Sequence, residues 1–153
     1  MSIYENLRKL NIEIPKPPDP VGAYVAYKKT SNLLFISGQI SIDANGNITK
    51  GKLGKELSID QGQAAAKLCA INIIAQAKKA CDEKLETIRS CIKLTGYVNS
   101  TNDFNDQPKV INGASEIISA VFGENGKHTR AAISANSLPL NAAVEIDAIF
   151  ELK

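Results

Sequence analysis

Few side chains in this sequence are equipped for chemistry. Cys69, Cys81 and Cys91 form no C-x-x-C pair, and His128 is the only histidine, so the ligand spacing of a Cys/His metal centre is absent. The cysteines read as small apolar core residues, and an odd count without a disulfide pattern points to a reducing compartment. Ser58 has no histidine or acid spaced to activate it and reads as a helix cap. Arg130 and Glu145 are charged residues on the two strands that close the chain. Arg130 opens a strand-like run two residues after His128, the one side chain that titrates near neutrality. It is either an ion-pair arginine or a rigid two-pronged donor for a planar carboxylate. Glu145 alternates with Val144 and Ile146 and lies on the polar side of its strand. It is either a solvated glutamate or a partly desolvated acid able to move protons.

These residues need a scaffold, and the sequence marks one. Residues 2–10 read as a short helix capped by Ser2, with Glu5 three residues on and Ile3, Leu7 and Leu10 on one face. Pro15 to Pro20 is a stiff extended connector. Strand-like runs follow at Tyr24–Lys28 and Leu33–Ile40, joined by a hairpin turn at Thr30–Asn32. Asp43–Gly46 is a second turn and 51–57 a loop. Ser58 to Gln61 is a capping box that opens a helix running to about Asp82. Ala64, Leu68, Ile71, Ala75 and Lys78 recur along that helix at helical spacing, with Ala65, Cys69 and Asn72 beside them. Ile88–Val98 alternates, with Ile92, Leu94 and Val98 on one face. A polar loop precedes a second long helix near Pro108, with Val110, Ile111, Ala114, Ile117, Ile118 and Val121 on its apolar face and Gly123 at its end. Strands at 130–136 and 143–151 close the chain. The order β-β-α-β-α-β-β behind a helical leader predicts an α+β fold, a mixed sheet with two helices on one face.

Length and composition set further bounds. The 153 residues suit one domain, 1–153, with a leader and connector over 1–20 and a core over 21–153. A net charge of +2 with scattered lysines argues against a nucleic-acid partner. No apolar run is long enough to cross a bilayer, and no signal peptide is visible. Together these predict a cytoplasmic protein without membrane contact.

Four stretches resemble the Rid (YjgF-like) family: Val21–Tyr24, Ile36–Ile40, Gln107–Asn112, and the tail from Arg130 through Leu138-Pro139 to Val144–Ala148. They stand in the family's order and spacing. The resemblance implies a fold like the Bacillus-type chorismate mutase. It implies a homotrimer with a barrel-like core and a cleft for a small carboxylate at each subunit interface. It also implies hydrolysis of reactive enamines and imines, such as 2-aminoacrylate, to 2-keto acids and ammonia, without metal or organic cofactor. By the same resemblance Arg130 grips the substrate carboxylate and Glu145 handles water. Tyr24, Ser37, Gly38 and Asn112 line the cleft; His128, a loop residue beside Arg130, is expected from its position to border it. Ala132 and His128 stand where the best-known branch carries a cysteine and a proline. The long leader resembles a subgroup described as endoribonuclease L-PSP or chorismate-mutase-like. A trimer that binds keto acids without turnover would use the same arginine, and ribonuclease activity ranks last on charge grounds.

Overall fold

Caps and alternation set the elements. The computed structural model, which describes residues 2–153, has them in the expected order. They are α1 (Ile3–Lys9), β1 (Tyr27–Thr30), β2 (Leu33–Ile40), α2 (Ile59–Ala80), β3 (Ile88–Asn99), α3 (Gln107–Phe122), β4 (Thr129–Ala135) and β5 (Val144–Leu152). Ser2 and Ser58 each close a capping box, accepting from Glu5 and Gln61 backbone N–H while those side chains reach back to the cap. Gly123 ends α3 with φ 63° but ψ −137°, outside the left-handed helical well. Leu7 is buried, whereas Leu10 at the α1 C-cap is 36% exposed and leaves the expected apolar face.

The five strands form one mixed sheet in the order β1-β2-β5-β3-β4. Only β3 and β4 run parallel, with α3 as their crossover. The two long helices cover one face, α2 over β2 and β5 and α3 over β3 and β4. The face beneath them is Leu34, Ile36, Leu94, Val98, Val144, Ile146, Ala148 and Phe150, all buried. Each large member contributes about 1.5–3 kcal/mol through burial. The leader helix packs on α3, and Gln76 of α2 donates to the Pro18 carbonyl at 2.6 Å, holding the proline connector against the helix. The two long helices approach closely at Gly113, where a side chain would collide with the backbone carbonyl of Gln63.

Three expectations are corrected. The stripe on α2 is displaced: Ala65, Ala66, Cys69, Ala70, Ile73 and Ala77 are buried, while Ala64 is exposed and Leu68, Ile71 and Lys78 are half-buried. Alanines at 65, 66, 70 and 77 let the helix lie close to the sheet, and Ile73 and Ile74 fill the remaining space. Ile92 is 39% exposed, because a β-bulge between Cys91 and Lys93 adds a residue to β3 opposite β5. The first strand begins at Tyr27 rather than Tyr24. Residues 24–26 leave the ladder because Ser37 engages them irregularly, its N–H donating to Ala26 O at 2.9 Å and its hydroxyl to Val25 O at 2.6 Å.

All three cysteines are free and buried. Burial pushes the Cys91 thiol up to about 12 and raises the Cys69 thiol well above its usual range, so neither is a reactive thiolate. No helix among the described residues is long and apolar enough to cross a membrane, and no group of three or more His, Cys, Asp or Glu residues among them could hold a metal ion.

Candidate functional site

Arg130 pairs with Leu94 in the parallel β3–β4 ladder, so its side chain rises on the helix-covered side of the sheet. Since β4 is an edge strand, the guanidinium runs out along α3. There Nη1 donates to Asn112 Oδ1 at 2.8 Å and to Ser115 Oγ at 3.1 Å, and Nη2 donates to Pro108 O at 3.4 Å. Positions 108, 112 and 115 follow helical spacing, so one face of α3 presents all three acceptors. Every one is neutral, and Arg130 forms no ion pair with a carboxylate among the described residues. Nε has no partner among the described hydrogen bonds. The Nε–H side of the fork is thus not engaged by protein among the described residues.

His128 lies at the same edge. Its Nε2 is 2.9 Å from Ser115 Oγ and its Nδ1 is 2.6 Å from Gly126 O. Both ring nitrogens are committed to protein atoms, leaving none for a ligand. Three residues singled out from the sequence, Arg130, Asn112 and His128, therefore come together. Ser115, which links them, was not singled out. The polar spacing Pro108, Asn112, Ser115 along an otherwise apolar helix was the signal for it.

The remaining candidates gather on the opposite, open face. There β2 carries a bulge between Ile36 and Gln39, where Ser37 and Gly38 interrupt the pairing with β5. Glu145 of β5 lies across Gly38 so closely that any side chain at position 38 would collide with its Oε1. This glycine leaves the room that the Glu145 carboxylate occupies, and a side chain at 38 would push that carboxylate aside. Tyr24, 52% exposed, adjoins Val25, whose carbonyl Ser37 holds. Ser37, Gly38 and Glu145 thus form a second cluster, with Tyr24 tied to it only through the Ser37–Val25 hydrogen bond next to it in the chain.

Charge adds to its character. Burial, with a smaller push from Asp147, raises the Glu145 carboxyl above the usual carboxylate range. The Tyr97 hydroxyl donates to Asp147 Oδ2 at 3.3 Å, and burial with that carboxylate raises the phenol. Tyr97 and Asp147 were not read from the sequence as site residues. Their signal was the alternation of β3 and β5, which puts both beside Glu145.

Arg130 and Glu145 therefore occupy opposite faces of one sheet. The first cluster is an anion-seeking fork and the second a carboxyl whose charged form is disfavoured by burial.

The chain as a whole is similar to known proteins. The chain is 40% identical over 148 residues, 96% of its length and 92% of the relative's, to Protein TCP17 of Trypanosoma cruzi. It is similar to the crystal structure of Atu1372 from Agrobacterium tumefaciens, a protein of unknown function, at TM-score 0.93 and 42% identity over 99% of this chain and 92% of that one. A more distant likeness, TM-score 0.63 and 26% identity over 90% and 94% of the two chains, is to E. coli TdcF with bound serine. Residues 5–152 match the family described as "YjgF/chorismate_mutase-like, putative endoribonuclease". The chain belongs to the YjgF/chorismate mutase-like family.

Proposed function

We propose that this chain hydrolyses imine and enamine forms of small 2-amino acids, the 2-aminoacrylate class, to 2-keto acids and ammonia, in clefts shared between the subunits of a homotrimer. The observation that carries this reading is Arg130, a half-buried cation held only by neutral acceptors with one edge of its fork unengaged. A planar imino-acid carboxylate fits that edge with two parallel charge-assisted hydrogen bonds. Serine bound to TdcF, itself a small 2-amino acid, supports this ligand class.

The chemistry needs little more. An enamine first takes a proton on carbon to become the imine. Water then adds to the C=N carbon, and Glu145 accepts a proton from that water. The same carboxyl passes that proton to nitrogen, giving a carbinolamine. It then takes the hydroxyl proton and delivers it to nitrogen as C=O forms and the C–N bond breaks, releasing ammonia and the keto acid. An acid with a raised pKa suits both halves of this exchange, which favours turnover over mere binding.

A ligand of this size cannot span a sheet, so Arg130 of one protomer must meet Glu145 of its neighbour. The open face supports such an assembly. It carries Glu145 together with Phe35, 40% exposed, and Ile133, 48% exposed, apolar surface that a second subunit would cover. A ribonuclease would instead need a basic stripe, and 18 basic residues against 16 acidic ones supply no such excess.

The direct test is keto-acid release from 2-iminopropionate and 2-iminobutyrate generated in place by an amino-acid oxidase. The protein is expected to accelerate release well above the spontaneous rate. Release at the protein-free rate, with pyruvate still binding, would instead make the chain a keto-acid-binding module.

A further inference from the structure

Arg130 is a long, flexible side chain on an edge strand, and an open fork is useful only if it points one way. The hydrogen bonds around it have a direction. Gly126 O can only accept, so His128 Nδ1, 2.6 Å away, carries a proton. Arg130 Nη1 can only donate, so Ser115 Oγ accepts from it at 3.1 Å. Ser115 Oγ is also hydrogen-bonded to His128 Nε2 at 2.9 Å, so the hydroxyl is held between the guanidinium and the imidazole. The relay runs from Arg130 through Ser115 and His128 to Gly126 O. Asn112 Oδ1 takes the other Nη1 proton.

Both protons of Nη1 are thereby fixed, which prevents the guanidinium from turning about its axis. Ser115 is not a nucleophile here, because its oxygen is occupied by the guanidinium. His128 is not a ligand contact, because neither nitrogen is free. We infer that His128 is a positioning residue: acting through Ser115, it locks the guanidinium of Arg130 so that the Nε–Nη2 edge faces the cleft. This rests on the reading that Arg130 receives a carboxylate. Its local consequence, a locked guanidinium, does not depend on turnover.

Without the imidazole, the Ser115 hydroxyl can rotate its proton toward Nη1 or solvent, and the acceptor that holds Nη1 is no longer oriented. A glutamine at 128 keeps an oxygen able to accept from Ser115 and serves as the conservative rescue.

The test is nitrogen NMR of arginine side chains in the intact protein. With only Arg8, Arg89 and Arg130 present, assignment by substitution is direct. Wild type should show separate Nη1 and Nη2 signals for Arg130, the mark of slow guanidinium rotation. His128→Ala and, independently, Ser115→Ala should merge them, and His128→Gln should keep them apart. In calorimetry the dissociation constant for pyruvate should rise about tenfold in His128→Ala, the size of one lost charge-assisted hydrogen bond. In kinetics KM should rise more than kcat falls. Separate Nη signals surviving in both alanine variants would overturn the inference, as would a fall in kcat with KM unchanged. If wild type neither turns over imines nor binds pyruvate, the proposed function fails, while the NMR comparison still decides whether His128 holds Arg130.

Discussion

Replacing Arg130 with alanine is expected to cut kcat/KM for 2-iminopropionate by about 100-fold, the worth of a bidentate charge-assisted pair formed in a partly desolvated site. The fold should survive, because the partners left behind, Asn112, Ser115 and Pro108 O, lie at an edge where water can replace the guanidinium. Arg130→Lys separates charge from shape. An ammonium restores a positive charge near the cleft, yet it cannot offer two parallel donors while also holding Asn112 and Ser115. A loss of about tenfold remaining in the lysine variant, at the scale of one missing hydrogen bond, would assign the effect to fork geometry. Full recovery by lysine would mean that charge alone suffices. Steady-state kinetics on both variants, with the assembly checked by light scattering, settles which holds.

Glu145→Gln should do two opposite things. Turnover should fall by about 10² to 10³, the usual cost of removing a positioned acid–base group, with KM little changed. Thermal stability at neutral pH should rise. Burial first, and Asp147 second, hold the folded-state pKa of this carboxyl above its unfolded value. A carboxyl shifted in that direction binds its proton more tightly in the native state. Its ionised form therefore costs stability above the folded pKa, and the cost fades as pH falls through it. Glutamine keeps the shape over Gly38 without the charge. The variant should melt higher than wild type at pH 7, and the two should converge as the solution is acidified into the carboxylate range. A lower melting temperature at pH 7 would mean that the charge stabilises the fold, against the direction of the shift. The same shift places the acid limb of the wild-type rate profile above the ordinary carboxylate range. Destabilised charge at a catalytic position is a common exchange of stability for activity.

Much of this was legible in the chain. The strand Leu33–Ile40 is observed to the residue, because alternation and the preceding turn agree on its limits. Both serine caps are where the sequence puts them. The buried face of α2 was not legible. A helix rich in alanine shows little contrast in hydrophobicity, and the buried face takes Ile73 and Ile74 with the alanines rather than Leu68 and Ile71. The bulge that exposes Ile92 was also hidden, since it adds a residue without any glycine or proline to mark it.

The candidate site was half legible. The polar side of β5 was clear from the alternation of Val144, Glu145 and Ile146. The direction of Arg130 was not, because Ala131 and Ala132 beside it give β4 no contrast. Only the register of β4 against β3 shows that Arg130 faces α3 and that the two chief candidates lie on opposite faces. Ser115 went unnoticed because its importance is tertiary: it matters only once His128 and Arg130 reach it from another element.

The central claim is that Arg130 and Glu145 meet only between subunits, and mixed oligomers test it most directly. Arg130→Ala and Glu145→Gln protein, each inactive alone, are unfolded together in equal amounts and refolded. In a cyclic trimer with one Arg130 donor and one Glu145 donor per cleft, about a quarter of the clefts pair an intact arginine with an intact glutamate. Keto-acid release should therefore recover to about a quarter of the wild-type rate. A mixture that stays as inactive as its two components, despite proven subunit exchange, would contradict the shared cleft.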